Sequence, residues 1–205
     1  MTLADDLSSL GAATLGESGA EPMGPRVRAA WPGAHLAAPA FTVRCPPADN
    51  LAIHVGVVTA TAGSALVVQV DGVPDRGYWG EVLATAAEAR GLAGLVIDAG
   101  ERDVDALRRH GFPVFSSCIA LRGAAKEAGG VVGGPVLVGD VTVQTGDWVV
   151  GDADGVAVVP AGAVDAVLAA GRARAEKEDG LFARLREGAT TIDLLGLDAS
   201  RVSRA

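Results

Sequence analysis

Apolar and polar positions alternate most regularly between residues 64 and 117 of this 205-residue chain. "SALVVQVD" (64–71) is a short continuous apolar run, the pattern of a strand covered on both faces. "WGEVLATAAEARG" (79–91) predicts an alanine-rich helix stopped by Gly91. "LAGLVIDAG" (92–100) predicts a second strand, "RDVDALRRHG" (102–111) a second helix stopped by Gly111, and "FPVFSS" (112–117) a third strand. Strand, helix, strand, helix, strand with short connections makes a parallel sheet with right-handed crossovers.

The flanks read differently. Leu3, Leu7 and Leu10 have helical spacing within residues 4–18, and Gly16 is a plausible stop. Residues 20–40 are rich in Pro, Gly and Ala and predict a loop with short extended pieces. "AFTVRC" (40–45) predicts a strand ended by Pro46-Pro47, and residues 50–60 a helix capped by Asn50. From 129 to 160, Val alternates with Gly, Asp and Thr, which predicts hairpins turning at 139–140, 145–147 and 152–155. A helix from about 161 to 187 and a polar tail follow. No linker or repeat divides the chain. The expectation is one α/β domain over residues 1–205, with a parallel βαβαβ core and a hairpin-rich second layer.

Composition narrows the function. Apolar residues make up 49% and charged residues 20%, enough for a real core, while only 4% is aromatic, so small and β-branched side chains must fill it. A net charge of -8 argues against a nucleic-acid partner, which needs a basic face, but not against small anions held by local cations. Cys45 and Cys118 fit a reducing compartment, and Cys118 reads as core filler after an apolar run. Acids stand near the N-terminus where a signal peptide needs basic residues, and no apolar run approaches membrane-spanning length. A soluble cytoplasmic protein without a membrane partner is expected.

Several motifs lack the context their chemistry requires. "GGVVGG" (129–134) has no strand-to-helix setting for a dinucleotide and predicts a flexible loop. Asp147, Asp152 and Asp154 lack the terminal Glu of a calcium loop, so turn chemistry accounts for them. His35, His54 and His110 offer no zinc spacing, and His54 reads as a half-buried helix histidine.

What remains is a juxtaposition. Loops after successive parallel strands emerge at the carboxyl edge of a sheet, where ligands bind. One such loop opens a helix at Gly80-Glu81-Val82-Leu83, and the next opens one at Glu101-Arg102-Asp103. The amides of Val82 and Leu83 can hold a carboxylate, Arg102 adds a cation, and Asp103 and Glu81 add two acids. Two readings stand: a site for a metal-chelated oxoacid, or plain helix starts with Asp103 as cap and Glu101 and Arg102 in water.

"GYWGEVLATAAEARGLAGLVIDAGERDVDAL", "PVFSS" and "TGDWVVGDADGVAVVP" resemble the RraA-like family over roughly residues 5–195. That family contains 4-hydroxy-4-methyl-2-oxoglutarate/4-carboxy-4-hydroxy-2-oxoadipate aldolases that also decarboxylate oxaloacetate, and the regulator of ribonuclease E activity. Its most specific element, an acid, twenty residues, then Arg-Asp, is matched by Glu81, Arg102 and Asp103. The resemblance implies a β/β/α swivelling fold assembled as a homotrimer, or a dimer of trimers, with sites between subunits. It implies Mg²⁺ or Mn²⁺ on Asp103, an oxoacid substrate on Arg102, and the pyruvate portion on Gly80, Glu81, Val82 and Leu83. An acid of a neighbouring subunit holds metal waters in this scheme, here Glu178 or, alternatively, Glu176. Glu81 stands where the aldolases typically have Asp, and its role is proton transfer through a water. The alternative is a non-catalytic regulator that binds and inhibits a ribonuclease or helicase.

Overall fold

The structure, a computed structural model, describes residues 2–203. In chain order the elements are α1 (Leu3–Gly16), β1 (Glu21–Pro22), β2 (Arg28–Ala29), β3 (Leu36–Cys45), α2 (Leu51–Thr59) and β4 (Ala65–Val70). Then come α3 (Glu81–Ala89), β5 (Gly94–Glu101), α4 (Val104–His110), β6 (Val114–Ile119), β7 (Val131–Val132) and β8 (Val136–Val138). The chain continues with β9 (Val141–Val143), β10 (Trp148–Asp152), β11 (Gly155–Val159), α5 (Val164–Arg186) and α6 (Thr191–Leu195).

β3, β4, β5 and β6 lie side by side and parallel, in chain order. Sequential order with crossovers of one hand puts α2, α3 and α4 on the same face. That face is built from Leu66, Val68, Leu95 and Ile97 beneath Ile53, Leu83 and Leu107. The first half of β3 leaves this sheet and pairs antiparallel with β10, which pairs with β11, so the sheet curls over itself. Val67, Val96 and Phe115 from the parallel half meet Val149, Val156 and Val158 from the antiparallel half in a second core. The period-2 alternation of β10 and β11 sends Val150, Ala157 and Val159 outward, where α1 and α5 cover them with Leu7, Leu15 and Leu168. The fold class read from the sequence, α/β with a parallel core and a hairpin-rich layer, is the one observed.

Local details depart from expectation. Residues 36–40 are strand rather than loop: Leu36, Ala38 and Ala40 point inward and alternate with half-buried neighbours. Pro39 and small alanines hide that alternation, because proline argues against a strand and alanine carries little apolar signal. The segment "GGVVGG" is not a free loop, since Val131 and Val132 pair with Arg44 and Val43 at the strand edge. Gly130 allows it: a Cβ there would lie 2.5 Å from the Arg44 carbonyl oxygen, at a φ of +129°. Asn50 does not cap α2; Asp49 Oδ1 accepts the Leu51 amide at 2.8 Å instead. The tail contains α6, whose Ile192 and Leu195 are exposed. The acids of "DWVVGDADG" serve turns as expected, with Asp147 accepting from Gln144 and Ala161 amides and Asp152 from Ala12 and Asp154.

Candidate functional site

The loop after β4 is fixed from within before it reaches α3. Tyr78 and Trp79 are almost fully buried, and Trp79 stacks on Phe112 with ring centres 5.8 Å apart. The Tyr78 amide donates to Gly100 O at 2.9 Å, and the Arg102 amide donates to Trp79 O at 3.0 Å. Trp79 therefore forms a single parallel bridge with Glu101 at the end of β5. Register, not loop chance, brings Gly80 against Asp103.

Gly80 is required there by proximity. Its backbone is extended, but a Cβ would come within 2.5 Å of Asp103 Oδ2 and 3.2 Å of Arg102 Cγ. Gly80→Ala is expected to push the Asp103 carboxylate off its perch while the protein stays folded. Thermal melts should differ little, and whatever Mg²⁺ or Mn²⁺ affinity the wild type shows in titration should be weakened.

Asp103 adopts a left-handed conformation (φ 64°, ψ 33°) and makes no side-chain cap on its own helix. Its Oδ2 instead accepts the Glu81 amide of α3 at 3.1 Å, with Arg102 Nε 3.8 Å away. Asp103 thus stands at the N-cap position of α4 as read, but its side chain does not cap that helix, and the reading of Glu101 as a solvated charge is wrong. Glu101 is the last residue of β5 and is fully buried, with no hydrogen-bond partner for either oxygen among the described residues. Burial, then the neighbouring Asp103 charge, pushes its carboxyl up to about 7.

Arg102, Asp103, Gly80, Val82 and Leu83 line one cavity of about 210 Å³. That is below the range of roughly 300–1,000 Å³ typical of drug-sized ligands, so it suits a small acid better than a nucleotide. Among the described residues, the Val82 and Leu83 amides have no backbone partner and open the first turn of α3 toward this space. The far wall was not anticipated. Asn50, His54 and Lys126 also line the cavity. Asn50 Nδ2 donates to Tyr78 O at 2.8 Å, leaving Asn50 Oδ1 and His54 Nε2 buried without partners among the described residues. Burial, then Lys126, lowers the His54 pKa, so the ring is neutral near pH 7. The four-residue spacing of Asn50, just before α2, and His54, within it, was the signal available.

Glu81 is brought to the site by its backbone, not by its side chain. The carboxylate runs outside the cavity to His110, with Oε1 3.3 Å from Nε2, and lines a shallow groove that Arg102 and Asp103 also border. Glu178 lies on α5, which packs on α1 in the layer opposite α3, and pairs with Arg174 at 2.8 Å; within one chain it does not approach the site. Cys45 is buried and its thiol is pushed up to about 12, chiefly by that burial, which removes it as a nucleophile.

No three acids, histidines or cysteines among the described residues come together tightly enough to enclose a metal ion. A hard cation that keeps most of its water needs fewer protein oxygens, and the half-exposed Asp103 carboxylate beside the cavity meets that need. The donor set fits Mg²⁺ or Mn²⁺ held weakly and does not fit zinc.

The family profile described as Aldolase/RraA, RraA-like, matches residues 2–158. The chain belongs to the RraA-like family. A Halalkalibacterium halodurans protein provisionally named a 4-hydroxy-4-methyl-2-oxoglutarate aldolase is 35% identical over 130 residues, which make up 63% of this chain and 62% of that protein. The chain thus spans less than two thirds of that relative's length. A crystal structure of an uncharacterized Pseudomonas syringae protein superposes with a TM-score of 0.83 at 28% identity, covering 92% of this chain and 90% of the other. The RNA-processing inhibitor RraA from Thermus thermophilis gives 0.65 at 26% identity, covering 78% and 93%. Among the described residues of this RraA-like chain, no helix is long and apolar enough to cross a membrane.

Proposed function

We propose that the chain is a divalent-metal-dependent lyase that cleaves 4-hydroxy-2-oxoacids of the 4-hydroxy-4-methyl-2-oxoglutarate type. The products are pyruvate and a second oxoacid, and oxaloacetate is decarboxylated through the same pyruvate enolate. The observation that carries this reading is the left-handed turn at Asp103, which lifts its carboxylate off α4 and holds it over the first turn of α3 beside Arg102. Such backbone costs about 1–3 kcal/mol and persists only where surrounding structure enforces it.

Asp103 would hold a Mg²⁺ or Mn²⁺ ion, which would supply Lewis acidity to the bound oxoacid. The Val82 and Leu83 amides bind the substrate carboxylate at the positive end of α3. Arg102 faces the 2-oxo oxygen, on which negative charge develops as the C3–C4 electron pair moves into the enolate. In aldol cleavage the 4-hydroxyl loses its proton as its carbon becomes a carbonyl; in decarboxylation CO₂ leaves and no such proton is lost. Both routes end with a proton added to C3, and Glu81 moves it through a water. In a homotrimer, or a dimer of trimers, Glu178 of a neighbouring copy (or Glu176) completes the acid set.

Likeness to the Thermus RNA-processing inhibitor favours a second reading, a non-catalytic regulator that binds a ribonuclease or helicase. With a net charge of -8 it would contact the protein partner rather than RNA. Masking a partner does not require the Asp103 turn or an open cavity. The test is Asp103→Asn, which keeps an acceptor for the Glu81 amide and tolerates the left-handed backbone. Metal-stimulated pyruvate release should disappear with the thermal melt nearly unchanged, and EDTA should reversibly do the same to the wild type. Full activity in Asp103→Asn would remove the metal role.

A further inference from the structure

The α3–α4 surface carries a pair of acids outside the cavity, and one of them, Glu81, lines the groove that Arg102 and Asp103 also border. Glu81 and Glu88 stand seven residues apart on α3, about 10 Å along the helix axis. Between them lies His110, the last residue of α4, where Gly111 in a left-handed conformation ends the helix. His110 Nδ1 lies 2.9 Å from Glu88 Oε2 and Nε2 lies 3.3 Å from Glu81 Oε1. Both ring nitrogens are thus engaged by carboxylates, and each carboxylate accepts from a ring N–H when the imidazole is charged.

A glutamate at a helix start has three side-chain torsions and is half exposed here, so by itself it holds no one position. The groove it lines also contains Arg102 and Arg109, either of which would attract a free carboxylate. Against these the ring is a directional anchor, itself only 26% exposed and fixed from behind by Glu88.

We propose that His110 is a positioning residue for Glu81: with Glu88 behind it, the ring holds the Glu81 carboxylate at the rim of the groove and away from Arg102 and Arg109. This rests on the reading that Glu81 moves a proton through a water beside Asp103. An aspartate in that position would be one methylene short and would not reach the ring. His110 therefore matters only while residue 81 is a glutamate. A plain staple between α3 and α4 makes a different statement, since it affects stability and leaves turnover alone.

The experiment is a double-mutant cycle with an independent spectroscopic arm. His110→Ala should lower kcat for aldol cleavage by roughly tenfold, since misplacing a catalytic group by about an ångström can cost up to about a hundredfold and the freed carboxylate still samples the working position. KM should hold, because the substrate contacts lie in the cavity. His110→Gln, which keeps an N–H donor, should recover most of the loss. In the Glu81→Asp background, His110→Ala should cost nothing further. The chain has three histidines, so ¹⁵N-histidine spectra are simple to assign. Glu81→Asp should move the His110 Nε2 resonance and leave Nδ1 in place. Equal kcat losses in both backgrounds, or an Nε2 resonance that ignores Glu81→Asp, would overturn the assignment. If the wild type released no pyruvate, the lyase reading would fall by itself, and the Nε2 resonance would still decide whether His110 holds Glu81.

Discussion

Arg102→Lys should lower kcat for both aldol cleavage and oxaloacetate decarboxylation by on the order of a hundredfold, the usual loss when one donor to a developing oxyanion is removed. Charge is conserved in this change. What disappears is the planar fork that meets an oxoacid or enolate with two parallel N–H groups. Arg102 is pinned for that task, because its amide bonds to Trp79 O while its side chain borders the cavity over Gly77 and Gly80. Both reactions pass through the enolate, so both should fall together. A variant that lost aldol cleavage and kept full decarboxylation would show that Arg102 does not serve the shared intermediate. Kinetics with the two substrates on one preparation make the comparison.

The second large effect is on stability and comes from Glu101. Its carboxyl goes from an ordinary 4.5 to about 7 in the fold because burial, and then the Asp103 charge, disfavour the ionised form. Between these values the unfolded chain gives up a proton that the folded protein keeps. Stability therefore falls as pH rises from about 4.5 to 7 and levels off above that window. Glu101→Gln removes the titration. Measured in EDTA, so that no cation alters the neighbouring charge, it should raise stability at pH 8 more than at pH 5. The difference should be about 2–3 kcal/mol, at 1.36 kcal/mol per pKa unit. Denaturant titrations at the two pH values check this. An equal effect at both would mean that Glu101 titrates normally and is reached by water.

The parallel half of the fold was legible because β4, β5 and β6 each open on an apolar run and because Gly91 and Gly111, both at positive φ, mark where α3 and α4 stop. The meeting of Gly80, Arg102 and Asp103 followed from topology alone, since parallel strands put successive loops on one edge. Side-chain direction did not follow. Whether Asp103 caps α4 or reaches α3 depends on a single left-handed residue, and sequence does not announce such a turn when an aspartate makes it. Glu101 looked like a surface charge because it opens a charged cluster, yet β5 runs through it, paired with Ile119 on one side and bridged to Trp79 on the other. Asn50, His54 and Lys126 belong to two segments far apart in the chain, and only the closed fold brings them to one cavity wall. The same holds for Glu81 and His110, which meet because α3 and α4 pack side by side.

Pyruvate release tests the central claim most directly. Purified protein is given a 4-hydroxy-2-oxoacid and, separately, oxaloacetate, in Mg²⁺ or in EDTA, with Asp103→Asn run alongside. The lyase account predicts pyruvate from both substrates in Mg²⁺, none above background in EDTA or from Asp103→Asn, and recovery of the EDTA-treated wild type when Mg²⁺ is restored. Pyruvate release that is absent from the wild type in Mg²⁺, or equally fast from Asp103→Asn, contradicts it.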